Sequence, residues 1–133
     1  MSLQPPALVH HLALGARDVH RVAAFYSSQL GLPEVQRNLD ESGRLRSIWL
    51  SLGDTLFMVE RTTRHRESVV GVDAGLFLIA FRVDAATRAE IEQRLTSLGH
   101  PVESRSEHTS YFRDPEGNRF AVSQYPTHRK RRL

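Results

Sequence analysis

Two aspartates 66 residues apart, Asp18 and Asp84, each stand between an apolar strand-like run and an amphipathic helix, and this repetition constrains the fold more than any other feature. In the first copy, Val9 to Gly15 sets Val9, His11 and Ala13 against His10, Leu12 and Leu14, the two-residue period of a strand. Asp18 offers a side-chain acceptor to the free amides of a helix start, and Val19, Val22, Ala23, Tyr26 and Leu30 recur on one helical face. Gly31 stops that helix and Pro33 prevents its resumption. Strands are predicted near 34–38, 45–52 and 55–60, with turns at Ser42-Gly43 and Gly53-Asp54. The same order then recurs: an apolar strand over 76–83, Asp84 as cap, Ile91, Leu95 and Leu98 on one helical face, Gly99 as stop, and strands near 102–105, 108–113 and 119–124. Asp114-Pro115-Glu116-Gly117 joins the last two strands, since proline pre-sets its own φ and glycine accepts a positive one. An internal βαβββ repeat implies an α+β fold of two modules in one domain over 1–128. Repeat one covers 8–60, a polar linker 61–74, repeat two 75–125, and a basic tail 129–133.

A chain of 133 residues supports one compact core and is too short for two ordinary domains. With no cysteine it forms no disulfide or thiolate metal site, which fits a reducing, cytoplasmic setting. Four of the last five residues are basic, so the formal charge of +3 becomes −1 without them. The basicity belongs to a solvated tail, and without interleaved aromatics or a basic helix nucleic acid is not an expected partner. No apolar run approaches membrane-spanning length, and residues 1–6 lack a signal pattern, so no membrane association is expected. Phosphate-loop, nucleophile-elbow and helix-turn-helix spacings are all missing.

The run Tyr111-Phe112-Arg113-Asp114-Pro115-Glu116-Gly117-Asn118 combines with His11-Leu12-Ala13-Leu14-Gly15-Ala16-Arg17-Asp18 and a helix carrying Phe25-Tyr26 and closing at Leu30-Gly31-Leu32. Together these resemble the vicinal oxygen chelate superfamily of glyoxalases, extradiol dioxygenases and the fosfomycin and bleomycin resistance proteins. The resemblance covers residues 8–125. It implies curved sheets enclosing a cup for a small-molecule ligand, helices outside, and subunits paired as a homodimer. In metal-dependent members each repeat supplies one ligand from its first strand and one from its last. Matched to this chain, that pattern implies His11 and Glu60 in repeat one, and it sets Leu78 and Ala121 where repeat two would supply histidine and glutamate.

Leucine and alanine have no lone pair to donate, whereas a catalytic zinc takes three protein ligands and non-haem iron takes two histidines and a carboxylate. No cofactor is therefore expected, with one exception held open: zinc, nickel, manganese or iron bound by His11, Glu60 and a substitute ligand. His108 is the candidate substitute, on the strand beside the one bearing Ala121. His108 is otherwise a ligand contact or an acid–base histidine. His11 and Glu60 are either a catalytic pair, with Glu60 orienting His11 as a general base, or a structural hydrogen bond. Trp49, Met58, Leu78, His108 and Ala121 are the candidate ligand contacts, with Trp49 either lining the cup or packing beneath the helix. Arg61, Arg64 and Arg66 either attract an anion at the rim or are solvated. Two function classes follow: a metal-free cup that binds a small apolar or aromatic molecule, as in the bleomycin-resistance branch, or a metal-dependent lyase or dioxygenase.

Overall fold

The computed structural model describes residues 4–126, so the basic tail expected over 129–133 lies outside the described residues. The chain divides between His65 and Arg66 into two compact units with the same plan. The first contains β1 (His11–Ala16), α1 (Val19–Leu30), β2 (Glu34–Leu39), β3 (Leu45–Leu52) and β4 (Thr55–Arg61). The second contains β5 (Ile79–Arg82), α2 (Ala85–Ser97), β6 (Ser104–Arg105), β7 (Thr109–Arg113) and β8 (Arg119–Ser123). Each is a βαβββ module with its own four-stranded mixed sheet, in the orders β1-β4-β3-β2 and β5-β8-β7-β6. In each, the first strand pairs parallel to the last and the other pairings are antiparallel. A parallel return needs a long crossover, which here includes the helix. Among the described residues no helix is long and apolar enough to cross a membrane.

Both helices start at the expected aspartates. The Asp18 carboxylate accepts from the backbone N–H of Arg21 at 3.0 Å, and Asp84 accepts from Thr87 at 2.8 Å. Gly31 ends α1 with φ at 71°, in the left-handed region where a side chain is strained. The buried face of α1 presents Val19, Val22, Ala23, Phe25 and Tyr26. Tyr26 meets Phe57 of β4 edge-on at 4.9 Å, and Phe57, Val59, Ile48 and Leu50 complete that core.

The second helix departs from expectation. Ile91 and Leu95 are buried, but Leu98 is 55% exposed. The reason is local: Leu98 is the C-cap, with φ −91° and ψ 2°, and has left the helical path that would aim it at the sheet. Polar anchoring takes over part of the packing. Arg88 donates to the Ser110 hydroxyl at 2.7 Å and to the carbonyls of Glu107 and Ser106 at 2.8 and 3.0 Å. Ser110 in turn donates to Glu92, which also receives Arg105. The predicted strand over 76–83 shortens to four residues, and β6 keeps only two.

The hairpin between β7 and β8 is organised by Asp114, which is buried and accepts from the backbone N–H of Glu116 and Asn118 and from the Asn118 amide. Gly117 has φ at 86°, and a Cβ there would fall 2.5 Å from the Ser68 hydroxyl. The segment is a turn with a reason for each residue.

Two outcomes are expected. Phe57→Ala should cost about 3–5 kcal/mol in chemical denaturation, and Asp18→Ala about 1 kcal/mol through the lost cap. A Phe57→Ala loss below about 1 kcal/mol would contradict the core assignment. The second concerns acid. Hydrogen bonding to Arg105 lowers the Glu92 carboxyl below its ordinary value, and hydrogen bonding to Arg113 does the same for Glu103. Carboxyls depressed in the folded state contribute stability above the unfolded value near 4.5 and lose it as pH falls below. The melting temperature should therefore drop from about pH 5 to about pH 3, and less steeply in Glu92→Gln. A flat profile would exclude these ion pairs as the acid-labile element.

Candidate functional site

Cross-strand partners share a face of a sheet, so the ladders state which side chains lie together. In the first unit α1 covers the face carrying Phe57 and Val59. The opposite face is built in rows. One row runs Ala13, Met58, Trp49, Gln36, and the next runs Gly15, Glu60, Ser47, Asn38. Trp49, Met58 and Glu60 are half-buried. The Trp49 indole N–H is buried and finds no acceptor. Beside it Gln36 donates to Asn38 at 2.8 Å and Asn38 to Ser47 at 2.9 Å, a polar strip that the sequence pattern did not reveal.

His11 lies at the exposed end of this face, opposite Leu56, whereas Glu60 lies opposite Gly15. Four residues of strand, about 13 Å, therefore separate the two along the ladder. The expected hydrogen bond between them is replaced by another: His11 Nδ1 meets His10 Nδ1 at 3.0 Å, one ring donating and the other accepting. The second unit explains the displacement of Glu60. There Ala80 pairs with Ala121, and in the first unit Ala13 pairs with Met58. With His11 matched to Leu78, two residues before each alanine, the ladders match Ala121 to Met58 and Ser123 to Glu60. The carboxylate stands one pleat repeat beyond the position assigned to it.

In the second unit α2 covers the face carrying Ser110, Phe112, Phe120 and Val122. The opposite face has Ala80, Ala121, Tyr111 and Ser104 in one row, with Arg119 paired to Arg113 beside it. Leu78 precedes β5 and is half-buried, while Ala121 is fully buried and presents no surface to a ligand. His108 does not reach this face. It sits just before β7, on the alternation of Ser110 and Phe112, with its backbone carbonyl accepting from the Gln124 N–H three residues past Ala121. Its ring packs edge-on against Tyr125 at 5.2 Å, and its Nδ1 is buried without a partner.

The face instead holds a charged cluster absent from the expected site. The Arg119 guanidinium lies 4.7 Å from the Phe77 ring centre and 4.8 Å from that of Tyr111. Its Nη1 donates to Glu103 at 2.7 Å, and Arg113 Nε donates to the other oxygen of the same carboxylate at 2.9 Å. Of the three linker arginines, Arg61 belongs to β4. It donates to the Leu45 carbonyl and to Asp40, both at 2.8 Å, which holds the Asp40 carboxyl well below the usual range. It is therefore a turn anchor rather than a rim charge.

Among the described residues neither unit by itself gathers three donors for a metal ion. Leu78 and Ala121 offer none, His11 and Glu60 are separated along the ladder, and His108 belongs to the helix-side face. Among the described residues no group of three or more His, Cys, Asp or Glu is placed to hold an ion.

Comparison with known proteins agrees with the architecture. The glyoxalase-like domain family matches residues 11–123. A lactoylglutathione lyase from Agrobacterium tumefaciens shares 25% identity, with 90% of this chain and 95% of that one covered and a TM-score of 0.65. The fosfomycin resistance protein FosX from Mesorhizobium loti shares 19% identity, with 92% and 94% covered and a TM-score of 0.72. A FosX mutant from Listeria monocytogenes, complexed with manganese(II) and 1S,2S-dihydroxypropylphosphonic acid, shares 18%, with 92% and 95% covered and a TM-score of 0.74. Among curated protein sequences none matches. With the family matched over 11–123 and the same βαβββ plan in both units, the chain belongs to the glyoxalase-like domain family of the vicinal oxygen chelate superfamily.

Proposed function

We propose that this protein is a metal-free member of its superfamily that binds a small apolar or aromatic molecule, its two units acting as one domain. The observation that carries this reading is Ala121: where the resemblance implies a carboxylate ligand, the strand presents a buried methyl group between Ala80 and Tyr111. Leu78 removes the companion histidine, and Met58 stands where the matching ladder of the first unit would carry its own carboxylate. Trp49 and Met58, neighbours in one row, suit an apolar or planar ligand. A homodimer is part of the proposal, by analogy with the superfamily.

The 25% identity with a lactoylglutathione lyase favours a second reading, in which the chain is a metal-dependent lyase or dioxygenase with His11 and Glu60 at its centre. His11 then has a catalytic role, and a divalent ion is required.

Metal content separates the two. After equilibration with zinc, nickel, manganese or ferrous iron and desalting, the wild-type protein is expected to retain no stoichiometric ion by elemental analysis. About one ion per chain would sink the metal-free reading. The double variant Leu78→His, Ala121→Glu supplies two missing donor types and should gain an ion that the wild type does not hold. A well-folded double variant without metal affinity would refute the matching of these positions to the superfamily's ligands. Ligand binding near Trp49 should change its fluorescence, and Trp49→Phe should lose that signal while retaining the fold. Quenching that persists in the variant would show that the optical signal arises elsewhere.

A further inference from the structure

We propose that Arg119, beside the rings of Phe77 and Tyr111 in the second unit, is a recognition site for a carboxylate, so that the ligand of that unit is an aromatic or apolar organic acid. This rests on the binding reading above and adds the charge of the ligand to it.

The inference comes from comparing arginines within the chain. Arg37 grips Glu34 through its side-on fork, with Nε at 2.7 Å and Nη2 at 3.1 Å from the two carboxylate oxygens. Arg105 uses the same fork on Glu92, with Nε at 3.3 Å and Nη2 at 2.8 Å. Arg119 spends only Nη1 on its carboxylate, Glu103. Its Nε is sheltered and finds no acceptor, and its Nη2 donates to none of the described residues. The edge that takes a carboxylate bidentately elsewhere in this protein is committed to no protein group here.

Three features make that edge a recognition device rather than a stray charge. First, the guanidinium is held before any ligand arrives: Phe77 and Tyr111 lie within 4.7 and 4.8 Å, and Glu103 fixes Nη1. The side chain is only 11% exposed, so little rotamer freedom remains to be lost on binding. Second, the surrounding charge is positive. Among the described residues Glu103 is the carboxylate paired with both Arg113 and Arg119, which lie side by side on the open face of this unit. Third, Ala121 sits two residues along the strand from Arg119, on the same face. A glutamate at 121 would place a carboxylate beside that fork and repel an anionic ligand. The alanine that argues against a metal therefore also leaves Glu103 as the carboxylate paired with this arginine among the described residues.

The test uses the full-length protein and matched probes: benzoate, its neutral isostere benzamide, and phenylphosphonate, followed by NMR of the arginine Nε–H resonances. Benzoate is expected to shift the Arg119 resonance and to bind about tenfold more tightly than benzamide. Arg119→Gln should abolish that preference. Arg119→Lys, which keeps a cation near Glu103 but has no fork, should reduce it and guards against misfolding of the first variant. Equal binding of benzoate and benzamide overturns anion recognition while leaving the binding reading intact. Binding of neither probe overturns both. A preference that survives both substitutions overturns the assignment to Arg119. Tighter binding of phenylphosphonate than benzoate supports an oxyanion site and reassigns it from carboxylate to phosphonate.

Discussion

The parallel ladder between the first and last strand of each unit is the constraint on which the rest depends. β1 cannot meet β4, nor β5 meet β8, until the chain has passed through a helix and two further strands. Once that ladder closes, its register assigns every side chain of both strands to the helix side or the open side. The helix side then fills with Phe57, Val59, Phe120 and Val122, all buried, which makes a one-residue slip costly because it would turn these side chains outward. What stands on the open face is a consequence of that core.

The open faces of the two units share a backbone plan and differ in chemistry. The first presents Trp49 and Met58 beside a hydrogen-bonded amide strip; the second presents a guanidinium held between two rings and one shared glutamate. Here the repeat is retained in strands, caps and turns but not in lone pairs. Aromatic surface and oriented positive charge stand on those faces.

Much of the fold was legible because its signals are local. An N-cap aspartate, a helix-stopping glycine and an Asp-Pro-Glu-Gly turn each act within about four residues, so Asp18, Asp84, Gly31 and Gly117 could be placed from the chain alone. Leu98 was misplaced because periodicity does not reveal where a helix unwinds. The site was less legible. Glu60 lies in its strand with the expected parity, but nothing local told that Gly15, rather than His11, would stand across from it. His108 was close to Ala121 in strand order and on the opposite alternation.

The sequence by itself determined a duplicated βαβββ chain in which Leu78 and Ala121 cannot donate to a metal, since no arrangement gives a methyl group a lone pair. The tertiary structure decided which residues face one another: His11 with His10, Met58 opposite Ala13, and Arg119 between Phe77 and Tyr111. Phe77 and Arg119 are 42 positions apart and Glu103 belongs to a different strand connection, so their meeting depends on the register of β5, β7 and β8. Residue type is a property of one position, and adjacency across a sheet is a property of the closed ladder.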